Sequence, residues 1–219
     1  MAHLDLEEQE QLDQLKHFWK QYGNAISWVV TAALVLVAGW NAYQYWQNKQ
    51  AVQASALFDQ LDQASQAKDV AKTSRMALDL NGQFGSTAYA AQAQLLAAEV
   101  LVDKGDLSAA TTALQSLVEH SSDKGLQSVA RLRLASLQAE SKAFDVALNT
   151  LQASFPKEFE ALAADRRGDL WMLQNKPDQA QAEYQKAYDG LTERSELRRL
   201  VEVKLNALGV KTAPAGAAS

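Results

Sequence analysis

Between Lys20 and Lys49 the chain carries no Asp, Glu, Lys or Arg. Its middle, Ser27 to Trp46, is the one strongly apolar run in a sequence otherwise full of Gln, Ala, Asp and Lys. At about 1.5 Å per residue a helix from Tyr22 to Tyr43 spans roughly 30 Å, the thickness of a bilayer's hydrocarbon core. Ile26, Val29, Val30, Leu34, Val35, Leu36 and Val37 each favour insertion by roughly 0.3–0.6 kcal/mol, while Asn24, Ser27, Thr31 and Asn41 subtract from that sum. Aromatics bound the run as headgroup-level anchors do: Phe18, Trp19 and Tyr22 before it, Trp40, Tyr43, Tyr45 and Trp46 after it. The apolar residues fill every side of the helix instead of one stripe. This predicts a transmembrane helix over 22–46, with Trp19, Tyr22, Trp40, Tyr43 and Trp46 at the lipid interfaces.

Two other fates were open to such a run. A buried helix of a soluble core is usually shorter and lacks flanking aromatics. A cleaved signal peptide needs a basic start and a small-residue cleavage site, whereas the segment ahead of the run is mainly acidic and Trp40 to Trp46 offers no such site. Lys16 and Lys20 before the run, against Lys49 after it, place the N-terminus in the cytoplasm and the remainder across the membrane, in the periplasm of a Gram-negative cell.

The rest of the 219 residues is enough for one domain with a real core. A net charge of −5 with dispersed Lys and Arg leaves no dense basic footprint, which argues against nucleic acid as a partner. The absence of cysteine excludes disulfides, thiolate catalysis and cysteine-held metals. The histidines, His3, His17 and His120, have no metal-ligand spacing. Asp165 and Asp169 lie one helical turn apart beside Arg166 and Arg167, the pattern of a solvated or ion-paired face more than of a catalytic dyad. With no nucleophile elbow and no phosphate-cradling loop, the chain reads as a binding protein without cofactor or small-molecule substrate. A peptidase or muramidase would need a convergent site that is missing here.

After Lys49 the pattern is helical throughout, with breaks near Asn81–Gly85, Lys104–Asp106, Ser121–Gly125, Ser141–Ala143, Phe155–Pro156, Asn175–Asp178 and Gly190–Glu193. Ala110, Ala147 and Ala180 recur 37 and 33 residues apart, close to the roughly 34-residue period of tetratricopeptide repeats. A small residue at a helix crossing allows close approach, and a bulky neighbour fills the gap. Gly168 falls where such repeats want glycine or alanine in the first helix. Gln50 to Phe84 reads as one further hairpin, with Ala54, Leu57, Phe58 and Leu61 on one face. Glu196 to Leu208 reads as a capping helix presenting Leu197, Val201, Leu205 and Leu208. The predicted fold is all-α: an N-terminal single transmembrane helix followed by a tetratricopeptide-like α-solenoid of antiparallel hairpins. The predicted boundaries are a cytoplasmic tail over 1–21, the membrane helix over 22–46, the periplasmic domain over 47–209 and a disordered tail over 210–219.

Three stretches carry a family likeness: Gln11-Leu-Asp-Gln-Leu-Lys-His-Phe-Trp-Lys-Gln-Tyr-Gly23 leading into the apolar run, Leu101-Val-Asp-Lys-Gly-Asp-Leu-Ser-Ala-Ala110, and Ala164-Asp-Arg-Arg-Gly-Asp169 with Leu173-Gln-Asn-Lys. In these the chain resembles the ancillary subunit of the bacterial Sec translocon, a single-span inner-membrane protein with a periplasmic tetratricopeptide-like domain. The resemblance implies association with the Sec translocon and with a membrane-anchored periplasmic chaperone of the prolyl-isomerase type. It also implies a role in handing newly translocated polypeptides to folding factors, and the same cytoplasmic-N orientation.

Stacked hairpins make a concave surface lined by the first helix of each pair. The register places Leu95, Glu99, Val102, Leu132, Ser136, Asp165, Asp169 and Met172 there, which predicts a protein partner surface that is apolar with neutral or basic groups. A different class of function stays open beside this one. A membrane tether could regulate a cytoplasmic signalling protein through the N-terminal tail, where Leu12, Leu15 and Trp19 form a short apolar stripe if the tail is helical. Deleting Met1–Glu10 abolishes function on the tether reading and changes little on the chaperone reading.

Overall fold

A computed structural model of the chain describes residues 6–210. The start of the expected cytoplasmic tail and nearly all of the expected disordered tail lie outside the described residues. Among the described residues every regular element is a helix: α1 (Leu6–Gln66), α2 (Val70–Phe84), α3 (Ala88–Asp103), α4 (Leu107–His120), α5 (Lys124–Glu140), α6 (Phe144–Leu151), α7 (Lys157–Leu173), α8 (Pro177–Gly190) and α9 (Glu196–Ala207). The chain stays helical through the expected boundary at residue 46, since nothing between Tyr22 and Gln66 breaks α1. Internal contacts divide the chain into two units, residues 1–50 and 51–219.

In the first unit α1 is long and apolar enough to cross a membrane, and none of its apolar window is buried. The buried-core alternative is thereby removed. Trp28, Val29, Leu34, Val35, Leu36 and Val37 are all exposed, an apolar surface far larger than water tolerates on a soluble monomer. Trp19, Tyr22, Trp40, Tyr43 and Trp46 are exposed on the same helix. Tyr43 sits between Trp40 and Trp46, with ring centroids 6.4 and 6.3 Å away, and the Phe18 and Tyr22 rings are 5.1 Å apart. The indole of Trp19 folds over Gly23, where a Cβ would press on it at 3.2 Å.

In the second unit the helices pair as hairpins whose turns share one construction. The middle turn residue is left-handed in each: Lys68 (φ 56°), Gly105 (φ 80°), Lys142 (φ 60°) and Asn175 (φ 57°). The next residue's N–H reaches back to the carbonyl five residues earlier, Asp69 to Ala64 at 3.0 Å, Asp106 to Leu101 at 2.9 Å, Ala143 to Gln138 at 2.8 Å and Lys176 to Trp171 at 3.0 Å. These bonds close the end of each first helix and reverse the chain. Only Gly105 adopts this backbone without a Cβ penalty.

The four turns lie 37, 37 and 33 residues apart, so the hairpin from Gln50 to Phe84 is the first repeat of the same stack. Its small crossing residue is Thr73, 37 residues before Ala110; Thr73, Ala110, Ala147 and Ala180 are each the fourth residue of their helix and fully buried. The Thr73 hydroxyl is absorbed by its own helix, donating to the Asp69 carbonyl at 2.8 Å. One turn further on, the repeats balance volume across the hairpin. Leu61 shares a core with Ala77, Ala98 with Leu114, Ala135 with Leu151, and Gly168 lies under the ring of Tyr184. A large residue on one helix meets a small one on the other, because a close-packed hairpin keeps the sum nearly constant.

Four cores follow in sequence, each joining a hairpin to the helix after it, the nearest-neighbour organisation of a solenoid. The α9 cap closes the last one with Val201 and Leu205 fully buried and Leu197 and Leu208 packed at its edge.

Candidate polypeptide-binding groove

The first helices of successive repeats leave a path between them. A cavity of about 400 Å³ lies between α3 and α5, lined by Glu99, Val102, Asp103, Arg133 and Ser136 over Ala98, Leu114 and Leu137. A second, of about 170 Å³, lies between α5 and α7, with Leu132, Ser136, Arg166, Asp169 and Leu173 in its wall. Ser136 belongs to both, so the two are consecutive stretches of one groove. Of the residues assigned to the concave face by register, Glu99, Val102 and Ser136 come together in the first cavity and Leu132, Ser136 and Asp169 in the second. The other three go elsewhere. Leu95 is buried in the core between α3, α4 and α5. Asp165 is buried at 1% exposure. Met172 is exposed but lines neither cavity.

Register alone did not assign Asp103, Arg133, Arg166 or Leu173 to the groove. The first two could have been found from spacing: Asp103 is one turn beyond Glu99, and Arg133 is one turn before Ser136, which stands 37 residues after Glu99 at the equivalent position of the next repeat. Arg133 Nη1 reaches Glu99 Oε2 at 3.2 Å and the Leu95 carbonyl at 3.4 Å. Both partners are well exposed, so water screens the attraction and the pair can open for a ligand. Asp103 leaves the first cavity with one carboxylate in excess, which favours a partner carrying a basic or neutral group beside its apolar ones.

Beneath the second cavity the paired aspartates do different work. Lys204 of α9 donates to Asp165 at 2.7 Å and to Asp169 at 2.6 Å, and the Tyr184 hydroxyl donates to Asp169 at 2.7 Å. Burial pushes the Asp165 carboxyl up, Asp169 beside it adds to that, and the Lys204 hydrogen bond opposes; the balance stays above the usual aspartate value. Burial and the Asp169 hydrogen bond raise the Tyr184 phenol, which remains protonated. Arg167 reaches across the α7–α8 hairpin to Glu183 at 2.7 Å and to the Leu151 carbonyl at 2.9 Å. The ion-paired reading of Asp165 and Asp169 therefore describes the structure, and the pair fastens α7 to α9. Among the described residues no group of three His, Cys, Asp or Glu could hold a metal ion. His3 lies outside the described residues, and His120 Nδ1 is bonded within its own helix, 2.9 Å from the Ser116 carbonyl.

Residues 16–210 match the sequence profile of a tetratricopeptide repeat-like domain, from ahead of the apolar run to the end of the last hairpin's cap. The chain is 31% identical to an ancillary SecYEG translocon subunit of Haemophilus influenzae, over 93% of its own length and 98% of the relative's. Proteins of the same name from Neisseria gonorrhoeae and Escherichia coli are 28% and 26% identical, over 93% of this chain and 98% and 97% of theirs. This chain belongs to the ancillary SecYEG translocon subunit family. The likeness covers the apolar helix as well as the repeats, so it is not a generic resemblance between helical solenoids. The groove runs across α3, α5 and α7, the first helices of successive repeats.

Proposed function

We propose that this chain is a membrane-anchored interaction subunit of the Sec translocon. Its apolar helix crosses the inner membrane with the N-terminus in the cytoplasm, and its repeats lie in the periplasm. There the groove across α3, α5 and α7 receives a segment of a partner, either a prolyl-isomerase-type chaperone held in the same membrane or a newly translocated polypeptide passing to it. The observation that carries this reading is the joining, in one family member, of an apolar helix with no buried surface to a stack whose first helices leave a continuous groove. Anchoring confines the groove to a thin layer beside the translocon, which raises the effective concentration of any second anchored protein and lets weak contacts suffice. Lipid meets the aromatic girdles at Trp19 and Tyr22 and at Trp40, Tyr43 and Trp46.

Photo-crosslinkers placed singly at Trp40, Tyr43, Val102 and Ser136 test the reading in intact membranes. The expected adducts are translocon subunits from the two anchor positions, and a periplasmic chaperone or a client chain from the two groove positions. Groove positions that crosslink only to lipid, or repeats digested by protease from the cytoplasmic side, would overturn it. The tether reading keeps one favourable observation, that Leu12, Leu15 and Trp19 are exposed on a helix as its stripe requires.

A further inference from the structure

On the other side of α3 a cavity of about 480 Å³ opens between α2 and α4. Ala97 and Leu101 of α3 line it, whereas Ala98 and Val102 line the groove described above. None of its lining residues carries a charge. Small side chains such as Ala77, Ala109 and Ala113 hold it open, and Leu78, 72% exposed, stands at its rim.

Gln94 of α3 lines this cavity and is 8% exposed. The other buried polar side chains all have partners: Thr73 and Thr87 bond to carbonyls of their own turns, Ser128 to Lys124, Gln127 to the Val118 carbonyl at 2.6 Å, and Asp165 to Lys204. The Gln94 amide has no hydrogen bond to another described residue and opens onto the cavity, where water reaches it, whereas the Ser74 hydroxyl on the α2 wall is sealed from solvent without a partner. An amide held on a mostly buried side chain, engaged by no protein group and facing an otherwise largely apolar cavity, leaves a donor and an acceptor free for an occupant that displaces its water.

The chemistry of the occupant follows from that amide. A glutamine side chain presents a donor and an acceptor side by side, the complement of one residue's C=O and N–H in an extended chain. A helix has already used those groups internally. The uncharged walls disfavour a charged segment, which would lose its hydration with no counter-charge in return. We propose that the α2–α4 groove binds an extended, uncharged, apolar segment of another polypeptide, with Gln94 bonding to its backbone. This second surface is independent of the groove across α3, α5 and α7 and of any association with the translocon.

The test uses the full chain in lipid nanodiscs and a fluorescent, end-capped seven-residue peptide alternating Val and Ser, read by anisotropy. Two derivatives carry N-methyl groups along one edge of the extended chain or along the other, which removes backbone N–H groups without changing side chains. The parent peptide is expected to bind, and methylation of one edge to weaken it about tenfold while the other edge is tolerated. Gln94→Leu is expected to bind parent and methylated peptides equally. Thr112→Trp, at an exposed wall position, is expected to block the groove, and Gln181→Trp, exposed on α8 outside both grooves, to leave binding unchanged; thermal melts establish that each variant is folded. No binding by the parent, edge discrimination that survives Gln94→Leu, or binding unaffected by Thr112→Trp would each overturn the proposal. Tighter binding of a helix-stapled peptide of the same composition would do so too.

Discussion

At Gly168 two opposite consequences of a single methyl group can be weighed. In a helix interior, alanine is favoured over glycine by about 1 kcal/mol. A Cβ at position 168, however, would overlap the Tyr184 ring, and that ring is fixed by its hydroxyl on Asp169 and by Lys204 Nζ 5.1 Å from its centroid. Overpacking of a held ring costs about 1–3 kcal/mol, so steric crowding wins. Gly168→Ala is expected to lower the melting temperature by several degrees, at about 2–4 °C per kcal/mol for a domain of this size. Gly82→Ala, at an exposed position of α2 where a Cβ meets nothing within 4 Å, should raise it by about 2 °C. A Gly168→Ala melt at or above the wild-type value would mean that Tyr184 moves aside freely. Thr73 marks the limit of reading single residues: no search for recurring alanines finds a threonine, and only its burial and its bond to Asp69 reveal that it fills the same place.

At the scale of elements, α9 is held to α7 by both apolar contact and charge. Lys204 spans Asp165 and Asp169, while Arg167 of α7 and Lys186 of α8 hold Glu183 within the α7–α8 hairpin. Burial pushes the Glu183 carboxyl up, but its hydrogen bonds from Lys186 and Arg167 outweigh that and hold it below the usual value of 4.5. Its contribution to stability is therefore complete above pH 4.5 and fades as pH falls through the lower folded-state value. Asp165 has the opposite sign. Its folded carboxyl takes up a proton at higher pH than the usual 3.8, so acidification through that window favours the fold. Urea unfolding followed from pH 6 to pH 3 should show a shallower acid loss for Glu183→Gln and a steeper one for Asp165→Asn. Identical slopes in all three proteins would remove the charge network from the acid response. A triple charge reversal at Glu99, Asp165 and Asp169 would disrupt this fastening instead of reporting on ligand capture, because Asp165 and Asp169 are held by Lys204 and, of the three, only Glu99 is an exposed groove carboxylate. The breaks between helices were legible from Gly, Pro, Ser and Asp clusters, as at Lys104–Asp106 and Asn175–Asp178. The turn at Ala67–Asp69 was not located, since Lys68 in a left-handed backbone carries no compositional signal.

For the whole molecule, α1 contributes to both units: its apolar run lies in the first, while Ala54 and Leu61 are fully buried in the first core of the second, with Leu57 and Phe58 beside them. A chain beginning at Ala51 should dissolve without detergent and melt like the intact domain. One beginning at Ala67 loses two fully buried residues and their neighbours from that core and should melt well below it, since deleting one buried leucine side chain alone costs about 2–5 kcal/mol. Circular dichroism melts of the two truncations decide it. An Ala51 start that aggregates as the intact chain does without detergent would show that the apolar run is not what demands a membrane.

The amino-acid order by itself determined the helical class, the long apolar helix, the hairpin spacing and the alternation of small and bulky residues. These are effects of neighbours within one helix or one turn, where periodicity and composition act directly. Which side chains face a groove, which aspartate is sealed under Lys204 from 35 or 39 residues away, and which glutamine is left without a partner were decided by how successive hairpins rotate against one another. That rotation is set by the summed packing of whole helix faces, a property no local stretch of sequence contains.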